Sequence, residues 1–103
     1  MGDFMDELIE KIRNALRISS NSDRINAEIN DCIAACLMDL QNDGVVKVDT
    51  ADPLIIRALI LYCKSEFGYS EDSEKFRRSY DVLKARLSMS KAYMEEAADG
   101  VGQ

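Results

Sequence analysis

Apolar positions recur at helical spacing along most of the chain. Phe4, Met5, Leu8, Ile9, Ile12, Ala15 and Leu16 step by threes and fours, while Asp6, Glu7, Glu10, Lys11, Arg13 and Asn14 fill the other side. This is the pattern of an amphipathic helix, expected from about Asp3 to Arg17, with acids in its first turns where the helix dipole favours them. Ser19-Ser20-Asn21-Ser22 reads as a loop rich in capping side chains. A second helix is expected from Ser22 or Asp23 to Asn42. Its stripe is Ile25, Ile29, Ile33, Cys36, Leu37 and Leu40, with Cys32 at the border. Asp43-Gly44 is a stop signal, because glycine takes the left-handed conformation at a helix end. Val45-Val46-Lys47-Val48 is β-prone but short, and reads as an extended link that could pair with a neighbouring subunit.

Asp52-Pro53 is a start signal, with an aspartate cap and proline at the first helical position. The third helix is expected from Pro53 to Phe67, closed by Gly68. It is apolar almost all round, broken only by Arg57, Lys64 and Glu66, which suits the centre of a bundle. Ser70 or Ser73 can cap a fourth helix whose stripe, Phe76, Tyr80, Leu83 and Leu87, is narrow and continues toward Met94, so that the helix is expected to reach Glu96. The pattern predicts an all-α fold: a small four- to five-helix bundle with a buried central helix and a long C-terminal helix. One domain is expected over residues 1–98, with a flexible tail at 99–103.

Composition narrows the function. At 103 residues and 47% apolar content the chain is one small domain able to bury a core. Thirteen basic and nineteen acidic residues give a net charge of −6, a poor balance for general nucleic-acid binding. The absence of His removes the commonest metal ligand and neutral-pH base, so Ser–His and Cys–His catalysis is excluded and no enzyme is expected. The first residues lack the basic-then-apolar order of a signal peptide, and three Cys are read as free thiols in a reducing compartment. The longest nearly apolar run, Leu54 to Cys63, is far short of the ~20 residues that span a bilayer.

Candidate chemistry is sparse. Cys32 and Cys36, four apart, could form half a metal site or a redox pair, but two small apolar residues beside a core stripe is the preferred reading. Asp39, Asp43, Asp49 and Asp52 do not match a calcium-binding loop and are read as a solvated loop with capping roles. Arg77, Arg78, Lys84, Arg86 and Lys91 make the fourth helix the most basic element, although its acids balance them. Tyr62, Phe67, Tyr69, Phe76, Tyr80 and Tyr93 concentrate aromatic rings in the second half, as core residues or interface anchors. No cofactor or metal is expected.

Three pieces in order carry a family likeness. The first helix ends in Ala15-Leu16-Arg17-Ile18 before a Ser/Asn/Asp loop and a long second helix. Pro53 precedes Ile56-Arg57-Ala58-Leu59-Ile60-Leu61-Tyr62. The third piece is the most specific: Lys64-Ser65-Glu66-Phe67-Gly68-Tyr69, an acidic loop, Phe76-Arg77-Arg78-Ser79-Tyr80-Asp81-Val82-Leu83-Lys84, then Leu87-Ser88. Over about residues 5 to 93 the chain resembles the phage head–tail connector (portal-adaptor) proteins, often labelled possible phage DNA-packaging proteins.

The resemblance implies an all-α, non-catalytic subunit that forms a ring of about twelve copies beneath the portal. The ring would extend the DNA channel and offer a surface to stopper or tail-completion proteins, and DNA would pass without specific binding. Assembly would take place in the host cytoplasm, and the final location would be the virion neck. Closing such a ring needs two complementary patches per subunit. The acidic face of the first helix (Asp6, Glu7, Glu10) and the basic groups Arg77, Arg78 and Lys84 of the fourth are the expected pair, and Tyr93 and Met94 are expected to dock on the portal. Two rival readings are a small helical DNA-binding or terminase-like packaging subunit and a dimeric helical regulator. The first lacks a helix-turn-helix signature.

Overall fold

The computed structural model describes residues 3–67 and 72–94. Five helices follow in order: α1 (Asp3–Ala15), α2 (Asp23–Asn42), α3 (Pro53–Phe67), α4 (Asp72–Ser88) and α5 (Lys91–Met94). The all-α expectation holds. Gly68, Tyr69, Ser70 and the expected tail at 99–103 lie outside the described residues.

Local signals set most boundaries. Ser22 caps α2, its Oγ accepting from the Ile25 N–H at 3.2 Å. Asp52 caps α3, its Oδ1 accepting from the Leu54 N–H at 2.8 Å, with Pro53 at the first helical position. Helix α2 ends on Gly44 at φ 98°, with Val45 N–H bonded to the Leu40 carbonyl at 2.9 Å and Gly44 N–H to that of Gln41 at 3.1 Å. Helix α1 ends at Ala15, two residues before the expected Arg17, because Arg17 takes the same left-handed role at φ 62°.

The core draws on every long helix. Leu8 and Ile12 of α1, Ile29, Ile33, Cys36 and Leu40 of α2, and Ile55, Ala58, Leu59 and Cys63 of α3 are buried together with Val45, Tyr80 and Leu87. No polar or charged residue among those described is fully buried apart from the Tyr80 hydroxyl, which has partners. Helix α3 packs on α1, α2 and α4. It is not covered all round, in contrast to the expected buried central helix: Arg57 and Leu54 are exposed, and Ile56, Ile60 and Leu61 are half-buried. Helices α1 and α4 flank that side of α3, and no described element closes it.

The fourth helix is also shorter than expected. It stops at Ser88 instead of running to Glu96. Met89 and Ser90 N–H groups bond three residues back, to Arg86 and Leu87, and the Ser90 carbonyl then starts α5 by accepting from Tyr93 and Met94. The break lets the Tyr93 carbonyl accept from Val46 N–H at 2.8 Å and Lys47 N–H at 3.1 Å. The Val45–Val48 link forms neither helix nor strand, and two of its backbone donors are satisfied by α5.

Candidate interaction surfaces

The residues expected at subunit contacts fall into two groups. Asp6, Glu7 and Glu10 are exposed on α1. Arg78 is exposed on α4. Arg77 and Lys84, in contrast, are engaged inside the subunit.

Arg77 lies over the Tyr62 ring, 4.8 Å from its centroid. Its Nε donates to Ser65 Oγ at 3.1 Å, and its terminal nitrogen pairs with the Glu66 carboxylate. The Ser65 hydroxyl donates in turn to the Tyr62 carbonyl at 2.7 Å. Arg77 therefore ties the start of α4 to the end of α3. Tyr62 and Tyr80 meet edge-to-face below it, with centroids 5.2 Å apart.

Lys84 donates to both Asp39 and Asp43, each at 2.9 Å. Burial alone would push the Lys84 ammonium below its ordinary pKa. The bonds to Asp43 and Asp39 outweigh burial and hold it above. Tyr80 donates its hydroxyl hydrogen to Asp39 at 2.6 Å, and Cys36 Sγ lies 3.8 Å from the same hydroxyl. Partial burial would raise the Asp39 pKa, but the hydrogen bonds from Tyr80 and Lys84 bring it below the ordinary carboxylate value. Burial pushes the Tyr80 phenol well above its own ordinary value, and the bond to Asp39 adds to the effect.

The loop carboxylates act as turn and cap residues. Asp49 Oδ1 accepts from the Ala51 N–H at 2.9 Å, and the second oxygen of Asp52 accepts from the Tyr93 hydroxyl at 2.8 Å. Tyr93 is thus half-buried and held to the α3 cap, whereas Met94 is 41% exposed. Cys36 and Cys63 are buried and Cys32 half-buried, and all three are free thiols. Among the described residues, no group of three His, Cys, Asp or Glu side chains is placed to hold a metal ion.

Two grooves line the open side of α3. One, of about 500 Å³ between α3 and α4, is walled by Arg57, Leu61, Lys75, Arg78, Val82 and Arg86. The other, of about 570 Å³, lies against α1 and includes Lys11, Leu54, Arg57, Ile60 and Lys64. Neither has an acidic lining residue. Sequence reasoning passed over Arg57, Lys75 and Arg86 as contact residues. Arg86 stood only among the basic residues of the fourth helix, and Arg57 was the lone cation inside the most apolar run.

The family model described as phage connector protein matches residues 8–94. The chain belongs to the phage connector protein family. No curated protein and no solved structure shows significant similarity to it. In this connector chain the matched region takes in the Asp39–Tyr80–Lys84 network, both grooves and Glu10. Asp6 and Glu7 precede it. Among the described residues, no helix of the connector chain is long and apolar enough to cross a membrane.

Proposed function

We propose that this chain is a structural subunit of the phage neck, which assembles into a ring of about twelve copies beneath the portal. The ring extends the DNA channel and joins head to tail. The family match over residues 8–94 carries this reading. The internal network supports it by making a rigid subunit, while α1 and the open side of α3 leave charged and apolar groups available for neighbours. The partners are further copies of the chain, the portal protein and a stopper or tail-completion protein. DNA passes without specific binding, which suits a net charge of −6. The chain performs no catalysis.

Asp6, Glu7 and Glu10 on one copy meet the basic α4 side of the next, where Arg78 is the exposed member of the expected set. Tyr93 and Met94 face the portal, with Met94 the exposed contact and Tyr93 its anchor to Asp52. The test is native mass by light scattering with negative-stain images, for the chain alone and with portal added. A ring of twelve 11.6-kDa chains has a mass of about 140 kDa. Rings, or capture of the chain by portal, are expected. A stable dimer that ignores portal would overturn the reading.

A further inference from the structure

The open side of α3 concentrates positive charge in an acidic protein. Lys11, Arg57, Lys64, Lys75, Arg78 and Arg86 all line the two adjoining grooves. Setting these six aside leaves seven bases against nineteen acids in the rest of the chain. The floor is apolar: Leu61 and Leu83 line it, and Val82 at 58% and Leu54 at 43% exposure stand at its edges. Arg57 and Arg78 have no carboxylate partner among the ion pairs of the described residues, unlike Arg77 and Lys84. A cationic rim over an apolar floor suits an acidic protein helix better than a bare polyanion, which has no use for the floor.

The complementary edge is on the same chain. Asp6 and Glu10, one turn apart on α1, border a polar notch of about 320 Å³ with Arg13, Asn21 and Asn26. Arg13 is drawn toward Asn26, with Nη1 at 3.3 Å from Asn26 Oδ1. Lys11 lies about 100° or more round α1 from Asp6 and Glu10. One edge of α1 therefore borders the basic grooves, while the other presents acids away from them. Different patches looking in different directions are what a head-to-tail contact requires.

The geometry points to the α3–α4 groove, rimmed by Arg57 and Arg78, as the acceptor for the Asp6–Glu10 edge of a second copy of this chain. This rests on the reading of the chain as a self-assembling neck subunit, and moves the basic half of the contact from Arg77 and Lys84 to residues left free for it.

A charge exchange tests the contact. Two variants, R57E/R78E and D6K/E10K, alter exposed side chains, and their circular dichroism melts check that the fold is kept. Sedimentation velocity is run at ~1 mM chain, where even a millimolar contact is populated. The wild type is expected to associate, less so as salt is raised. Each variant alone should associate about tenfold more weakly or worse, because like charges then face each other. An equimolar mixture of the two should regain assembly, since every new interface pairs opposite charges. Association by the single variants at wild-type strength, failure of the mixture to recover, or a wild type monomeric at ~1 mM would each overturn the contact. So would retention of duplex DNA by the wild type that R57E/R78E abolishes, if self-association is unaffected. Portal capture of the wild type is read separately. If it survives while the exchange fails, the groove assignment falls and the neck reading stands.

Discussion

Tyr80 of α4 and Asp39 of α2 meet across the edge of α3, with the phenol oxygen 2.6 Å from Asp39 Oδ2. The same carboxylate oxygen accepts from Lys84 at 2.9 Å, so one atom of α2 receives two donors of α4 spaced a single helical turn apart. The ring of Tyr80 is fully buried, and its hydroxyl is the polar end of an otherwise apolar core. A buried aromatic with a satisfied hydroxyl fixes position as well as contributing apolar area, because only one placement of α4 completes the bond.

Removing that bond should therefore weaken the whole bundle. Tyr80→Phe keeps the ring and its contact with Tyr62, and removes one hydrogen bond to a partly exposed carboxylate. The expected loss is about 1–2 kcal/mol. Tyr80→Ala, which also opens a cavity, should cost about 3–5 kcal/mol. Urea unfolding at neutral pH measures both. A Tyr80→Phe midpoint equal to wild type would show that the bond contributes nothing net.

The same network sets how stability depends on pH. The folded pKa of Asp39 lies below its ordinary 3.8, so its contribution is present above that value and lost as pH falls through the folded one. The folded pKa of Lys84 is above 10.5 and that of Tyr80 above 10.0. Their contributions are complete below those values and are lost as pH rises further. Lys84→Met should accordingly show its largest deficit against wild type between about pH 5 and 9, narrowing toward both extremes. Urea midpoints across the pH range give the comparison. A deficit unchanged at pH 11 would place the Lys84 contribution in its packing rather than its charge.

Local signals in the chain were enough for the starts of α2 and α3 and for the Gly44 stop, because a cap or a left-handed glycine acts over three or four residues. The end of α4 was not legible. The periodicity runs on toward Met94, but the helix breaks at Met89, and Tyr93 instead satisfies Val46, Lys47 and Asp52, which lie more than forty residues earlier. The fate of the cations was hidden for a similar reason. Arg77 and Arg78 are adjacent in sequence, yet one stacks on Tyr62 and the other faces solvent. Only the direction of α3 relative to α4 decides which. Arg57 and Arg78 share a groove through packing, and no spacing in the sequence links them.

The cysteines should differ in reactivity. Cys36 is buried against the Ala58 carbonyl and the Tyr80 hydroxyl, and burial pushes its thiol up to about 12. Cys63 is raised by its hydrogen bond to Cys32, with burial adding to the effect, while the same bond lowers Cys32. Since the thiolate is the nucleophile, a thiol reagent at pH 8 should label Cys32 first and leave the other two until the chain unfolds. Mass spectrometry of the labelled protein reads this directly. Simultaneous labelling of all three would mean that α2 and α3 separate readily in the native state.

Two helix ends offer a matched pair of backbone tests. At the end of α2, Gly44 is left-handed, and the next residue, Val45, is buried beside Leu40, whose carbonyl its N–H bonds. At the end of α1 the same pattern appears, with Ile18 N–H bonded to the Arg13 carbonyl at 3.1 Å and Arg17 N–H to that of Asn14 at 3.0 Å. The left-handed position here is held by Arg17, a residue with a Cβ that crowds the backbone at positive φ. Arg17 is exposed, and among the described residues its side chain makes no hydrogen bond or ion pair that would compensate. Arg17→Gly should therefore stabilise the protein, by about 0.5–1 kcal/mol after the added freedom of the unfolded chain is allowed for. Gly44→Ala should destabilise by about 1 kcal/mol, although a Cβ there would meet nothing within 4 Å, so the cost is conformational and not steric crowding by neighbours. Opposite shifts in urea midpoint for the two variants are the expected result. Equal signs would show that the two helix ends are held by something other than the left-handed residue they share.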